Sequence, residues 1–473
     1  MLDEQPPRDK GWVPGVVAAA PAPAEAAREV RRRLRPSAVL LGLGVAALLA
    51  LVAVAAVAAG RLVPALAGLH LPRAAAVAVF LATYLVIAVG KLPGFRLDRA
   101  GAALLGASLM VGAGALPLDE AYRAIDLDTL ALLLGMMIVV ANLRLAGFFR
   151  LVTAQAVTRA GHPLVLLAAV TLTSGVLSAF LVNDAVCLVL APLVLDLVGR
   201  LERDPVPYLL AVAMASNVGS TATITGNPQN IMIGSFSGIP YGSFAGALAP
   251  VAAIGLLLTV LLIALAYRAE FWTRDRLKAE AERARVHVPL VTKASLVTLA
   301  MMALFFAGQP PAKVAVVAGA LLLLTRTVKP EKVYREIDWP LLLMFAGLFV
   351  VVAGFERAVL SPDAVAAVGG LHLERVPALT LVTAVLSNLV SNVPAVLVLK
   401  PFVTELADPR RAWLVVAMAS TLAGNLTVLG SVANLIVVQR ARNRGVEIGF
   451  WTYLKVGAPL TVLTILVGVW WLS

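Results

Sequence analysis

Two short polar runs interrupt stretches that are otherwise apolar. Asn183 and Asp184 stand in the middle of "SAFLVNDAVCLVLAP" (178–192), and Ser391, Asn392 and Pro394 take the same places in "SNLVSNVPAVLVLKP" (387–401). A carboxylate in hydrocarbon costs roughly 3 kcal/mol on insertion scales, so it marks a pathway or binding site, or it caps a helix. A second pair of runs is "AMASNVGSTATITGNPQN" (213–230) and "AMASTLAGNLTVLGSVAN" (417–434). The first carries Thr223, Thr225, Gly226, Asn227 and Asn230; the second carries Thr427, Gly430, Ser431 and Asn434. Amide and hydroxyl oxygens together with freed backbone carbonyls can hold a small cation, and freed N–H groups can hold an anion. Pro394 aside, these thirteen positions, with Asp184 the one acid among them, are the candidate substrate and ion site.

Elements follow from the chemistry. Unwound backbone at membrane depth survives only where protein buries it or it lines a cavity, so each run predicts a broken helix or a hairpin tip. Pro228 and Pro394 suit the first turn of a resuming half-helix, and Asn183 and Asn392 are natural caps before such turns. Each half-helix directs about half a positive charge at its break. Four such ends meeting at the midplane favour an anion or an oxyanion-bearing solute. Asp184 is expected to bind and release a coupling ion. A proton is preferred; sodium would lie among Asn183, Asp184 and Asn392.

Composition sets the class. The 473 residues are 60% hydrophobic and 14% charged, with mean hydropathy +0.91, too little charge for the surface of a soluble protein this long. The reading is an all-α polytopic membrane protein of about eleven transmembrane helices plus two re-entrant hairpins in an inverted repeat. Apolar segments cover about 37–59, 73–90, 101–115, 127–142, 165–196, 206–237, 245–267, 293–307, 312–327, 338–355, 376–405, 411–438 and 452–472. Residues 1–36 read as a flexible basic tail, 37–267 as the first membrane half, 268–292 as a cytoplasmic linker and 293–473 as the second half. The hairpins are 165–196 and 376–405; the broken helices are 206–237 and 411–438. The first span opens after a basic run, so no cleavable signal peptide is evident.

The net charge of +12 is explained by topology and not by nucleic acid. With the N-terminus inside, Lys91, Arg96, Arg99, Arg144, Arg150, Arg159, Arg200, Arg203, the run from Arg268 to Arg285, Lys329, Lys332, Arg335, Arg440, Arg442 and Arg444 all fall on the cytoplasmic side. The bias holds only if both hairpins return to the face they entered, and it leaves the C-terminus external at the cytoplasmic membrane. Cys187 is the single cysteine, which excludes an internal disulfide and a multi-thiolate metal site. His70, His162, His287 and His372 form no ligand pattern. There is no P-loop, because "GSTATITGN" (219–227) lacks the Lys-Ser/Thr that would follow it. Neither an Asp pair nor a zinc motif of an intramembrane protease occurs, so no enzyme is expected and no cofactor beyond a coupling proton or sodium ion.

The halves repeat. "AIDLDTLALLLGMMIVV" (124–140) aligns with "EIDWPLLLMFAGLFVVV" (336–352), pairing Asp126 with Asp338 and Gly135 with Gly347. Ser178 pairs with Ser387, Asn183 with Asn392, Ser216 with Ser420, Thr223 with Thr427, Gly226 with Gly430 and Asn230 with Asn434.

On these motifs the chain resembles the ion transporter superfamily of divalent anion/sodium symporters, citrate transporters, sodium/proton antiporters and arsenite efflux permeases, over nearly everything after about residue 37. Carboxylate symporters carry Ser-Asn-Thr at each hairpin tip. Here the tips read Val182-Asn183-Asp184 and Ser391-Asn392-Val393, which look more like the arsenite permease branch. The resemblance implies a scaffold domain with a moving transport domain, usually as a homodimer in the lipid bilayer. It also implies gradient-driven transport of arsenite, antimonite or another small anion. Sodium/proton antiport and sodium-coupled di- or tricarboxylate symport are the alternatives. With one cysteine, arsenite would be held through its hydroxyls.

Overall fold

Helix starts in this chain are set by small polar caps followed by proline. Asp204 accepts from Val206 N–H and Pro205 opens the next helix; Asn227 with Pro228 and Asp408 with Pro409 repeat the arrangement. Proline costs nothing at a first helical position, where the N–H has no partner anyway. The computed structural model describes residues 71–90, 97–158, 161–273, 276–277, 286–324, 328–359 and 371–473. The expected tail 1–36, the span 37–59, His70 and the middle of the 268–292 linker lie outside the described residues.

Helices of ten residues or more, in order, are α1 (Leu71–Val89), α2 (Arg99–Gly112), α3 (Leu127–Ala146), α4 (Phe148–Thr158), α5 (Pro163–Phe180), α6 (Asn183–Arg200), α7 (Pro205–Ser220), α8 (Pro228–Ser237) and α9 (Tyr241–Ala266). The second half supplies α10 (Val288–Phe306), α11 (Pro311–Leu323), α12 (Trp339–Val359), α13 (Val376–Val390), α14 (Asn392–Thr404), α15 (Pro409–Ala423), α16 (Val432–Arg442) and α17 (Phe450–Leu472). No strand occurs among the described residues. Six of these helices (α3, α5, α9, α10, α12 and α17) are long and apolar enough to cross a bilayer. Large apolar side chains such as Leu172, Leu257 and Leu466 stand outward on them, as a hydrocarbon solvent permits. The protein is an all-helical integral membrane protein.

The polar runs fall where the helices stop. Residues 165–196 lie in α5 and α6, joined at Leu181 and Val182; residues 376–405 lie mostly in α13 and α14, joined at Ser391. The stretch 206–237 divides into α7, a 3₁₀ turn at Ile224–Gly226, and α8. The stretch 411–438 divides in the same way, into α15, a 3₁₀ turn at Val428–Gly430, and α16.

Packing crosses between the halves. α3 lies against α11, and α12 lies against α2. Gly135 and Gly347 make these contacts possible: a Cβ on Gly135 would stand 2.5 Å from the Ala315 carbonyl carbon, and one on Gly347 2.6 Å from that of Ala103. In the core, α16 of the second half packs on α6 and α7 of the first.

Candidate substrate and ion site

Both hairpin tips turn through backbone that ordinary side chains avoid. Val182 has φ 53° and its repeat counterpart Ser391 has φ 78°. A β-branched residue at positive φ is a strained position, and such strain collects at functional sites. The asparagines that follow do not cap as their sequence positions suggest. Val182 and Ser391 hold the N-cap positions without a side-chain cap bond. Asn183 is already helical, its Oδ1 accepting from Asp184 N–H at 2.9 Å and its Nδ2 donating to Asn217 Oδ1 at 3.0 Å. Asn392 Oδ1 accepts from Ser387 Oγ at 2.6 Å. Both amides are drawn inward by buried partners that a one-dimensional reading does not show.

At the broken helices the caps are Asn227, accepting from Asn230 N–H at 2.9 Å, and Ser431, accepting from Ala433 N–H at 3.3 Å. Asn230 and Asn434 act as braces. Asn230 Nδ2 donates to the carbonyls of Ser220 (3.1 Å) and Thr223 (3.0 Å). Asn434 Nδ2 donates to the equivalent carbonyls of Gly424 (2.8 Å) and Thr427 (3.1 Å). Each asparagine thus satisfies the carbonyls released where its helix unwinds, which buried backbone requires. Gly226 and Gly430 are glycines because the chain doubles back on itself there. A Cβ would come within 2.1 Å of Ser220 O at the first and 2.7 Å of Gly424 O at the second.

Four helix N-termini converge on one cavity of about 50 Å³. Its wall holds Asn183 and Asp184 at the start of α6, Pro228 and Gln229 of α8, Asn392 to Pro394 of α14, and Val432 of α16, with Ser391 and Ser431 just before their helices. Of the predicted positions, Asn183, Asp184, Ser391, Asn392 and Ser431 line this space. Asn227, Asn230, Gly226, Thr427, Gly430 and Asn434 stand behind it and shape the breaks. Thr223 and Thr225 turn away: Thr223 Oγ1 donates to the Ala179 carbonyl, and Thr225 Oγ1 lies 2.8 Å from Tyr241 Oη.

Asp184 joins the halves. It lies beside the backbone of Ala433 in the first turn of α16. It also lines a second cavity, of about 120 Å³, that holds Leu188, the ion pair of Arg144 with Glu336, and Asp338. One carboxylate therefore faces two spaces. Among the described residues no cluster of three His, Cys, Asp or Glu side chains forms a metal centre.

Residues not singled out in the sequence complete the site. Asn217 is the hub: it accepts from Asn183 and Ser431 and donates to Asn425 Oδ1 and Asn434 Oδ1, each at 2.9 Å. Thr421, its repeat equivalent, accepts from Asn227 (3.1 Å) and Gln229 (3.2 Å). Asn217 and Asn425 sit inside the two repeated runs, Asn217 within α7 and Asn425 just past the end of α15, and a polar amide in so apolar a stretch was the available signal. Arg99, read as a topology charge, also lines the cavity.

Comparison with known proteins agrees in kind. The family model described as "Citrate transporter" matches residues 82–423. An uncharacterized transporter of Mycobacterium tuberculosis is 31% identical over 421 residues, covering 82% of this chain and 96% of its own. The silicon efflux transporter LSI3 of Oryza sativa subsp. japonica is 28% identical over 452 residues, covering 80% and 93%. Among solved structures, the Alcanivorax borkumensis YdaH transporter superposes with TM-score 0.53 at 17% identity, covering 84% of this chain and 96% of that one. It supports the fold.

Proposed function

Since the chain belongs to the citrate transporter family, we propose that it is a secondary active transporter that carries a small anion or oxyanion-type solute by alternating access, coupled to a proton or sodium gradient. The observation that carries this reading is the convergence of four helix N-termini on a cavity whose wall includes one carboxylate, Asp184. Each N-terminus contributes about half a positive charge and unpaired N–H groups. Their sum exceeds the charge of one carboxylate, so the space attracts a negatively charged or oxygen-rich guest. A cavity of about 50 Å³ is on the scale of a few water molecules, which favours a compact solute over a tricarboxylate. The family description names citrate and a relative's name refers to silicon efflux; arsenite and antimonite are of similar compactness.

In this reading Asp184 binds and releases the coupling ion, because it faces both cavities and each is lined by residues of both halves of the repeat. The protein works as a homodimer in the cytoplasmic membrane, N-terminus inside and C-terminus outside. The experiment is uptake into proteoliposomes under imposed pH or sodium gradients, with wild type beside Asp184→Asn. The variant should lose gradient-driven accumulation while keeping exchange of solute across the membrane. A variant that still concentrates solute against its gradient reduces Asp184 to a helix cap.

A further inference from the structure

The central cavity has a wall that the repeat does not supply. Arg99, the first residue of α2, reaches it beside Ile87 of α1 and Leu341 of α12. By the equivalence of Ala103 with Ala315, its counterpart is Pro311, the first residue of α11. The positive side chain therefore stands on one face of the site only.

Ordinary reasons for an arginine here fall short. Topology asks for cations in this connection, and Lys91 and Arg96 already meet that demand; it does not ask a guanidinium to face a cavity. The dipole of α2 opposes a cation at its first residue. The group lies beside the C-terminal end of α1, where Gly90 N–H closes on Val86 O at 2.8 Å. A methyl group placed on Gly90 would stand 3.6 Å from Arg99 Nη2 and 3.7 Å from Nε, so the guanidinium lies against that turn.

It has no counter-ion among the described residues. Arg144 pairs with Glu336 and Arg203 with Glu270, whereas Arg99 enters no such pair. Residues 91–96 contain no acid, and the adjacent Asp98 is committed to Gly101 N–H at 2.8 Å. A half-buried guanidinium without an anion is costly, and five N–H donors in a planar fork fit two oxygens of one guest.

We propose that Arg99 selects for charge: the transported solute is a small oxyanion bearing at least one negative charge, held between this guanidinium and the helix N-termini at the tips. Neutral hydroxides are poor substrates, because they leave Arg99 uncompensated. This inference rests on the cavity being the transport site.

The test uses the full-length chain in proteoliposomes and five probes at pH 7. Citrate, phosphate and arsenate carry charge; arsenite and silicic acid are neutral. The best wild-type substrate should be one of the three anions. In Arg99→Gln its KM should rise about tenfold or more, the scale of a lost charge-assisted contact, with thermal stability in detergent unchanged. Arg99→Lys should recover part of that loss, because it keeps the charge without the fork. Added salt should raise the wild-type KM more than that of Arg99→Gln. A neutral solute as best substrate, or an anion whose KM is untouched in both variants, overturns the proposal. If wild type carries none of the five, the reading of the cavity as an oxyanion site fails and takes this inference with it. If an anion is carried equally by Asn183→Ala, that reading fails while the KM values still judge Arg99.

Discussion

Ser431 Oγ donates to Asn217 Oδ1 at 3.0 Å, and their repeat equivalents, Asn227 and Thr421, meet at 3.1 Å. Each half of the molecule thus ties the cap of its broken helix to the long arm of the other half. Unwound backbone at the centre of a membrane protein needs partners it cannot find in lipid, and here the opposite repeat supplies them.

The hub is the first place to test this. Asn217→Ala removes the common partner of Asn183, Ser431, Asn425 and Asn434 and leaves buried amides unpaired. The expected cost is on the order of 3 kcal/mol, visible as a fall of roughly 5 °C in thermal midpoint in detergent. Transport should fall with it. An unchanged midpoint would show that waters or neighbours replace the hub without loss.

Backbone approach gives a second prediction. Gly226→Ala should prevent a monodisperse protein from forming, because its Cβ would meet Ser220 O at 2.1 Å. Gly430→Ala, at 2.7 Å from Gly424 O, should be milder, and Gly112→Ala, with nothing within 4 Å, should be silent. Size-exclusion profiles of the three variants rank them directly. Any other order contradicts the packing described at the breaks.

Much of this arrangement is legible in the sequence, and the reason is periodic. The pairing of Asn230 with Asn434 and of Gly226 with Gly430 can be read from two aligned strings, because both copies keep the residues that close each break. Asn183 and Asn392 were less legible. Their cap role follows from local rules, but buried partners on other helices, Asn217 and Ser387, capture the side chains instead. Thr223 and Thr225 look equivalent to other site hydroxyls, yet local backbone direction turns them towards Ala179 and Tyr241. Arg99 was legible only as a charge. Nothing in a linear string shows that the end of α1 folds its guanidinium towards the hairpin tips.

Orientation gives a third prediction, motivated by the arginine bias. Arg276 and Ser473 are exposed, and the native Cys187 is buried, so it should not react with a membrane-impermeant maleimide. Arg276→Cys should label from the cytoplasmic side and Ser473→Cys from the outside. Labelling of both from one side would overturn the proposed topology.

The central claim is that the cavity between the hairpin tips carries the solute. Uptake into proteoliposomes by Asn183→Ala and Asn392→Ala, beside wild type at matched protein density, tests it most directly. Both asparagines line the cavity, one from each half, and either loss should abolish transport while expression stays near normal. Transport at the wild-type rate by both variants would place the solute elsewhere in the protein.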